Sequence, residues 1–392
     1  MKHAAILDRL AGLGGAKWQV HFRARELRAE GRDVIELTIG EPDVPTPPEL
    51  VEVAARSMRD GRTGYSNGRG EAGLLRGLAA RYSARRGHEI GTDRILCFPG
   101  TQTVLYTVLT GLTGPGDEVL IGDPMYATYE GLIAATGARM VPVPLRAENG
   151  FRMTAADLAA RITPATRVIF LNSPHNPTGA VLSRADLAGI GELARLHDLW
   201  ILSDEVYEDL VFDGAPFASP LDLPELADRV VVASSISKSH AAPGFRSGWC
   251  VAPEGLTAAL LPLSETMLFG NQPFIADMTA QALMQPPTVA DGMRARFAAR
   301  ADMIADRLEG VAGLRVHRPQ AGMFALLDVS AITPDGEAFA MALLESTGVA
   351  AMPGGSFGET LRGWLRLSLT QPDAVIAVAC DRIAEFASGP KG

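Results

Sequence analysis

The chain has 392 residues, 47% of them hydrophobic and 21% charged, with a formal net charge of −9 at neutral pH. That balance is ordinary for folded globular proteins and excludes disordered, collagen-like and coiled-coil classes. The acidic surplus, 45 Asp and Glu against 36 Lys and Arg, repels phosphate backbones, so no nucleic-acid partner is expected.

The length predicts one large domain with a smaller companion. Asp8 and Arg9 interrupt the stretch where a secretion signal needs an apolar run, and no uncharged apolar segment is long enough to span a bilayer. Cys97, Cys250 and Cys380 are too few and too scattered for a disulfide framework or a zinc site. They suit a reducing compartment, and a cytoplasmic protein without membrane association is expected.

In chain order, the first 48 residues end in EPDVPTPP (41–48), a proline-rich connector expected to be neither helix nor central strand. From 95 to 251, β-rich runs (95–98, 118–122, 139–145, 167–172, 199–205, 229–235 and 249–253) alternate with helical patterns such as 103–112 and 184–197. Most runs are continuously apolar, as in strands covered on both faces by helices. This rhythm predicts an α/β fold with a mostly parallel, doubly wound sheet, whose ligands bind beyond the carboxyl ends of the strands. After QPPTVADG (285–292) a helical pattern covers about 293–310, and runs near 322–329 and 364–369 are each followed by a helical stretch. The expected division is a large domain over 49–285 and a smaller α+β domain built from 1–48 and 286–392.

Between residues 18 and 390 the only lysine is Lys238; every other Lys or Arg position holds arginine. An amine, unlike a guanidinium, can lose its proton near neutrality and act as a nucleophile. Lys238 lies in SSISKSHAAPGFRSGW (234–249), just past a predicted strand, where burial and the nearby Arg246 would lower its pKa from about 10.4. The hydroxyls of Ser235 and Ser237, with the Arg246 fork, suit a phosphate monoester. A surface lysine in a serine-rich loop is the plainer alternative.

Four further segments carry chemistry. In SPHNPTG (173–179), Pro174 and Pro177 stiffen a loop, Gly179 permits a left-handed turn, and Asn176 offers a fixed amide donor. In SDEVYEDL (203–210), Asp204 could pair with a cationic ring nitrogen and Tyr207 could donate to an adjacent oxyanion, although a helix N-cap is the commoner role for such an aspartate. Gly100-Thr101-Gln102 turns from strand into helix and presents N–H groups and a positive helix end to an anion, without a P-loop or dinucleotide fingerprint. In WLRLSLT (364–370), Arg366 among apolar neighbours needs a substrate carboxylate or a structural ion pair. Together these offer a Schiff-base lysine, a carboxylate for a ring nitrogen, a phosphate cup and a carboxylate clamp. Pyridoxal phosphate requires that set.

The motifs run in order: IGEPDVPTP (39–47), Tyr65 with GRGEAGLLRGLAARY (68–82), PGTQ (99–102), DPMYATY (123–129), NSPHNPTG (172–179), DEVYE (204–208), SISKSHAAPGFRSGW (235–249), PGGSFG (353–358) and RLSLT (366–370). Over nearly its whole length the chain thereby resembles the class I/II aminotransferases, pyridoxal-phosphate enzymes of fold type I.

The resemblance implies that Lys238 carries the cofactor as a Schiff base and later moves the substrate proton, while Asp204 keeps the pyridine nitrogen protonated. It implies that Asn176 and Tyr207 donate to the cofactor's ring oxygen, and that Gly100, Thr101, Gln102, Ser235, Ser237 and Arg246 hold its phosphate. Tyr126 is expected to stack on the ring, Arg366 to clamp the substrate carboxylate beside Gly40 and Asn176, and Tyr65 to reach the phosphate of a neighbouring subunit in a homodimer. Pro243-Gly244-Phe245-Arg246 replaces the usual Thr-Gly-Trp-Arg, which predicts altered packing with phosphate binding kept. No second arginine is assignable to a dicarboxylate side chain. The stretches AKWQVHFRA (16–24) and LFGNQPFIAD (268–277) are most similar to the group acting on arginine and pyruvate. Trp18, and Asn271 from the neighbouring subunit, are candidates for shaping its side-chain pocket. The expected activity is transamination; a β-eliminating lyase on the same fold, which would keep every cofactor residue, is the rival.

Overall fold

Strand β1 (Ile35–Leu37) precedes the proline-rich connector, and the chain then builds a seven-stranded sheet from β2 (Ile95–Phe98), β3 (Glu118–Asp123), β4 (Arg139–Pro144), β5 (Thr166–Asn172), β6 (Trp200–Asp204), β7 (Val230–Ser235) and β8 (Gly248–Val251). The computed structural model describes residues 3–268 and 270–389, so Lys2, Lys391 and Phe269 of the LFGNQPFIAD stretch lie outside the described residues. Strand order is β2-β8-β7-β6-β5-β3-β4, and only β8 runs against the rest, pairing antiparallel with β2 and β7. The expected doubly wound, mostly parallel α/β sheet is present.

Alternation explains why these strands read as unbroken apolar runs. Ile95, Cys97, Val230 and Val232 face one apolar cluster, while Leu96, Phe98, Val231 and Ala233 face a second on the other side of the sheet. The helix Thr101–Leu112 covers the second face through Val104, Leu105, Val108 and Leu109. The helices Ala72–Arg86 and Arg184–Leu196 cover the first. The latter starts at a capping box, Ser183 accepting from the Asp186 backbone and Asp186 from that of Ser183.

A five-stranded sheet, ordered β1-β11-β12-β10-β9, adds β9 (Arg315–His317), β10 (Phe324–Asp328), β11 (Val349–Pro353) and β12 (Trp364–Ser368). Strands β10 and β12 match the runs read near 322–329 and 364–369. Strands β1, β9 and β11 were not anticipated: two span three residues each, and VAAMP carries too little side-chain contrast to show a period. Val20, Leu27 and Leu37 share a core with Ile304, Leu344 and Ile383, so both ends of the chain pack together.

Two helix starts differ from expectation for one reason. The connector's last proline, Pro48, is the first residue of the helix Pro48–Arg59, and the helix Thr288–Leu308 begins inside QPPTVADG, directly after Pro287. First-turn N–H groups have no intrahelical partner, so proline loses nothing there and its fixed φ favours the helix. No described helix is long and apolar enough to cross a membrane.

The connector is pinned by charge. Asp43 accepts two bonds from Arg296, both at 2.8 Å, and one from Arg300 at 2.8 Å, and Arg300 also donates to Asp373 and the Leu369 carbonyl. Burial would raise the Asp43 carboxyl, but the two guanidinia outweigh it and hold it below the usual carboxylate range. A depressed carboxylate adds stability above its unfolded pKa and loses it as pH falls through the folded value. Asp43→Asn is therefore expected to cost about 3 kcal/mol at pH 7, as for a buried pair that loses one partner. The deficit relative to wild type should shrink in acid unfolding titrations below about pH 4.

Candidate active site

The parallel strands deliver their chemistry at one edge. Lys238 follows β7, the Asn176 loop follows β5, Tyr126 follows β3, the Gly100 turn follows β2, and Asp204 ends β6. A cavity of ≈ 270 Å³ opens there, and its wall includes every predicted site residue except Gly100, Tyr65 and Asn271.

Gly100 has φ 86°, and a Cβ there would overlap the Arg246 guanidinium. Glycine thus lets the loop turn and lets the cation sit against the N-terminus of the helix Thr101–Leu112. Arg246 donates to the Pro243 carbonyl at 2.7 Å, so the altered tetrapeptide still orients the arginine. The Thr101 hydroxyl is buried with no partner. With Ser235 and Ser237 on the same wall, this end is cationic, rich in donors and short of acceptors, which suits a phosphate.

Lys238 Nζ donates to the Gly40 carbonyl at 2.8 Å. Burial pushes the amine down to about 8; Glu41 opposes this, and Arg366 and Arg246 add to it. Gly40 is required because a Cβ would overlap the Phe324 ring. The surface-lysine alternative is therefore excluded.

Asp204 is buried and caps no regular helix. Its Oδ2 accepts from the Tyr129 hydroxyl at 2.8 Å and its Oδ1 from the Val206 N–H at 3.1 Å. Burial pushes the carboxyl up to about 6, against the pull of those two bonds. Tyr207 is buried, which raises its phenol, with the nearby Asn176 side chain opposing that rise in part. Asn176 is itself fixed by its N–H donating to Asn172 Oδ1 at 2.8 Å, and Gly179 takes the expected left-handed turn at φ 71°.

Arg366 on β12 lies between two rings, its guanidinium carbon 3.8 Å from the Phe324 centroid and 4.3 Å from that of Phe357. It donates to the Thr38 carbonyl at 2.6 Å and to Asn176 Oδ1 at 3.2 Å, while its buried Nε has no partner. Burial pulls it down to about 10, so it stays a cation at neutral pH. Among the described residues no carboxylate pairs with it. That disposes of the structural ion pair and leaves a site for an external anion.

Trp18 lines the cavity with its ring edge-on to His21 at 6.0 Å, and His21 Nδ1 meets Thr38 Oγ1 at 2.9 Å. Tyr65 is 91% exposed and lies off this chain's cavity wall. Asn271 corrects an expectation. It does not project toward a neighbour but is buried in its own chain, its amide donating to the Phe98 carbonyl at 3.4 Å. Tyr129, Phe324 and Thr38 were missed. Tyr129 follows Tyr126 by three residues in DPMYATY, a spacing that puts side chains on one side of a helical turn. Phe324 is indistinguishable from core in its sequence.

A lysine depressed by burial makes the protein without its cofactor less stable at neutral pH. Its folded pKa of about 8 lies below the unfolded value near 10.5, so stability rises with pH across that window. Lys238→Met is expected to stabilise that form by at most about 3 kcal/mol at pH 7. The gain should fade between pH 8 and 10 in thermal melts.

These residues fit pyridoxal phosphate, with an orphaned hydroxyl in the phosphate cup, a nucleophilic amine, and an anion and a cation at separate places on the wall. The family model for aminotransferase class I and II matches residues 32–383. The chain is 42% identical over 384 residues to arginine–pyruvate transaminase AruH of Pseudomonas aeruginosa, covering 98% of each. It is 35% identical over 380 residues to an aspartate/prephenate aminotransferase of Cereibacter sphaeroides, covering 94% of each. Among solved structures, the aspartate aminotransferase from Rhizobium meliloti superposes with TM-score 0.92 at 28% identity, covering 98% of both chains. The Thermus thermophilus aspartate aminotransferase with maleate gives 0.90 at 29%, covering 98% of this chain and 99% of that one. Each of these relatives is named as a transaminase or aminotransferase, which supports transamination over β-elimination. The chain belongs to the class I and II aminotransferases, pyridoxal-phosphate-dependent enzymes of fold type I that move amino groups between amino acids and 2-oxo acids.

Proposed function

We propose that this aminotransferase takes its amino group from arginine and passes it to pyruvate, with Lys238 both anchoring the cofactor and moving the substrate's Cα proton. The observation that carries the reading of the site is Arg366, a buried cation with no carboxylate partner among the described residues, beside an amine that deprotonates near neutrality. The arginine and pyruvate assignment rests on the 42% identity to AruH.

Bound at this site, pyridoxal phosphate supplies an electron sink for the substrate's α-carbon. The chain's residues do the rest. Arg366 takes the α-carboxylate, with Gly40 and Asn176 alongside, and so aligns the Cα proton with the Lys238 amine. Asp204 holds the proton on the ring nitrogen, Asn176 and Tyr207 donate to the ring oxygen, and Tyr126 packs on the ring. Gly100, Thr101, Gln102, Ser235, Ser237 and Arg246 hold the phosphate. With Arg246 and Arg366 both engaged, the described cavity wall has no arginine left for a second substrate carboxylate, which argues against a dicarboxylic donor. Asp204 is the only acid on that wall, while Glu41, next to Gly40, acts on the Lys238 charge from close by. We therefore place a substrate guanidinium toward Glu41, with Trp18 on the cavity wall.

The wider reading is a homodimer in which Tyr65 reaches the neighbouring site, consistent with its exposure and with exposed Val51 and Met58 on the adjacent helix. We assign 49–285 to a large domain and 1–48 with 286–392 to a small one. Three buried, unbridged cysteines favour a reducing compartment such as the cytoplasm.

A half-reaction panel tests the substrate. Arginine should discharge the visible band of the lysine-bound cofactor faster than alanine, aspartate or aromatic amino acids, and pyruvate should restore it. Ammonia release from a β-substituted donor without an acceptor would instead indicate elimination. Lys238→Ala is expected to remove the band and lower turnover at least ~10³-fold, the loss of a nucleophile and a positioned base together.

A further inference from the structure

We infer that Tyr129 is a positioning residue for this reaction: its hydroxyl orients the Asp204 carboxylate and keeps it anionic toward the cofactor's ring nitrogen. The inference rests on the reading of Asp204 above and adds a residue to it.

Tyr129 is 3% exposed and opens the helix Tyr129–Thr136, its N–H donating to the Tyr126 carbonyl at 3.0 Å. That turn places Tyr126 and Tyr129 ring to ring, centroids 5.5 Å apart and edge-on. On another side Tyr129 packs on Phe170 of β5 at 4.6 Å. Strand β6 is the neighbour of β5, with Asn172 in register with Asp204, so a phenol lying along β5 reaches the last residue of β6. The hydroxyl meets Asp204 Oδ2 at 2.8 Å.

The carboxylate therefore has two fixed donors, one on each oxygen, since Oδ1 is held by the Val206 N–H. They set the plane of the carboxylate and favour its charged form, as hydrogen bonds to an anion do. Burial works the other way, and Tyr129 is the largest of the influences that counter it. Without the phenol the carboxylate becomes more basic. The proton it shares with a ring nitrogen then shifts toward Asp204, and the electron sink weakens. A phenol placed only to fill space would have no such effect.

The test is Tyr129→Phe in the holoenzyme, which keeps the ring and its packing and deletes one oxygen. With cofactor labelled at the ring nitrogen, its 15N resonance should move from the protonated toward the unprotonated position. Turnover should fall on the order of tenfold with little change in KM, the scale of one lost hydrogen bond to a charged group. The cofactor Kd, from equilibrium titration, should rise only a few-fold. An unmoved 15N resonance in Tyr129→Phe overturns the inference, whatever happens to stability. Asp204→Asn is measured alongside: if it too leaves the resonance protonated, the role given to Asp204 fails. If it shifts the resonance while Tyr129→Phe does not, the failure is of Tyr129 alone.

Discussion

A guanidinium sealed between two phenylalanine rings, with no anion among the described residues to neutralise it, sets the terms for the rest of this site. Arginine cannot shed its proton to escape burial, so the charge must be carried by dipoles and ring faces. The Thr38 carbonyl, Asn176 Oδ1, Phe324 and Phe357 do this, and none of them cancels the charge. The residual positive potential has two consequences. It suits the carboxylate we assign to this place, and it adds to the burial that lowers the Lys238 amine. Burial is the larger cause of the lysine's depression, but the Arg366 charge adds to it, so a mutation that supplied Arg366 with an internal partner would weaken both effects.

The anion at the site is managed in the opposite manner. Asp204 sits among phenols, with Tyr129 bonded to it and Tyr126 and Tyr207 near enough to feel its charge. Burial raises all three phenols, so they remain donors across the working pH range. A carboxylate held by two neutral donors, the Tyr129 hydroxyl and the Val206 N–H, can stay charged without a permanent cation beside it. Its charge is then free to act on whatever occupies the cavity.

Some of this was legible in the sequence because the physics left a compositional trace. A sheet covered on both faces must be apolar at every position, and the strands of the large sheet stood out for that reason. Lys238 stood out because arginine fills nearly every other cationic position. Other features left no such trace. Strand β11 is VAAMP, and only its full burial between β1 and β12 makes it a strand. The prolines at 48 and 287 looked like breakers, but Pro48 opens a helix and Pro287 directly precedes one, a distinction that depends on which side of the proline the helix lies. Tyr129 and Asn271 both lay in motifs already singled out. Whether a side chain in such a motif faces the cavity, braces a loop or reaches a neighbour is decided by packing, which spacing does not encode. Asn271 holds the carbonyl of Phe98, where β2 leaves for the phosphate cup.

The division of labour between the two sheets explains why the chemistry was easier to read than the substrate. Groups suited to the cofactor lie at strand ends of the large sheet, where β6 and β7 deliver Asp204 and Lys238 whatever the donor amino acid. Groups suited to the substrate come from elsewhere: Gly40 just after β1, Phe324 from β10, Arg366 from β12 and Trp18 from the N-terminal segment. Among the bonds that tie these two sets of elements together are those from Lys238 to the Gly40 carbonyl and from Arg366 to Asn176. Both consist of groups to which we assign roles toward substrate and cofactor. On that assignment, occupying the cavity exchanges these contacts for contacts through the ligand. Any preference among donors will depend on how well each one replaces the bonds it displaces, and those bonds lie far apart in the sequence.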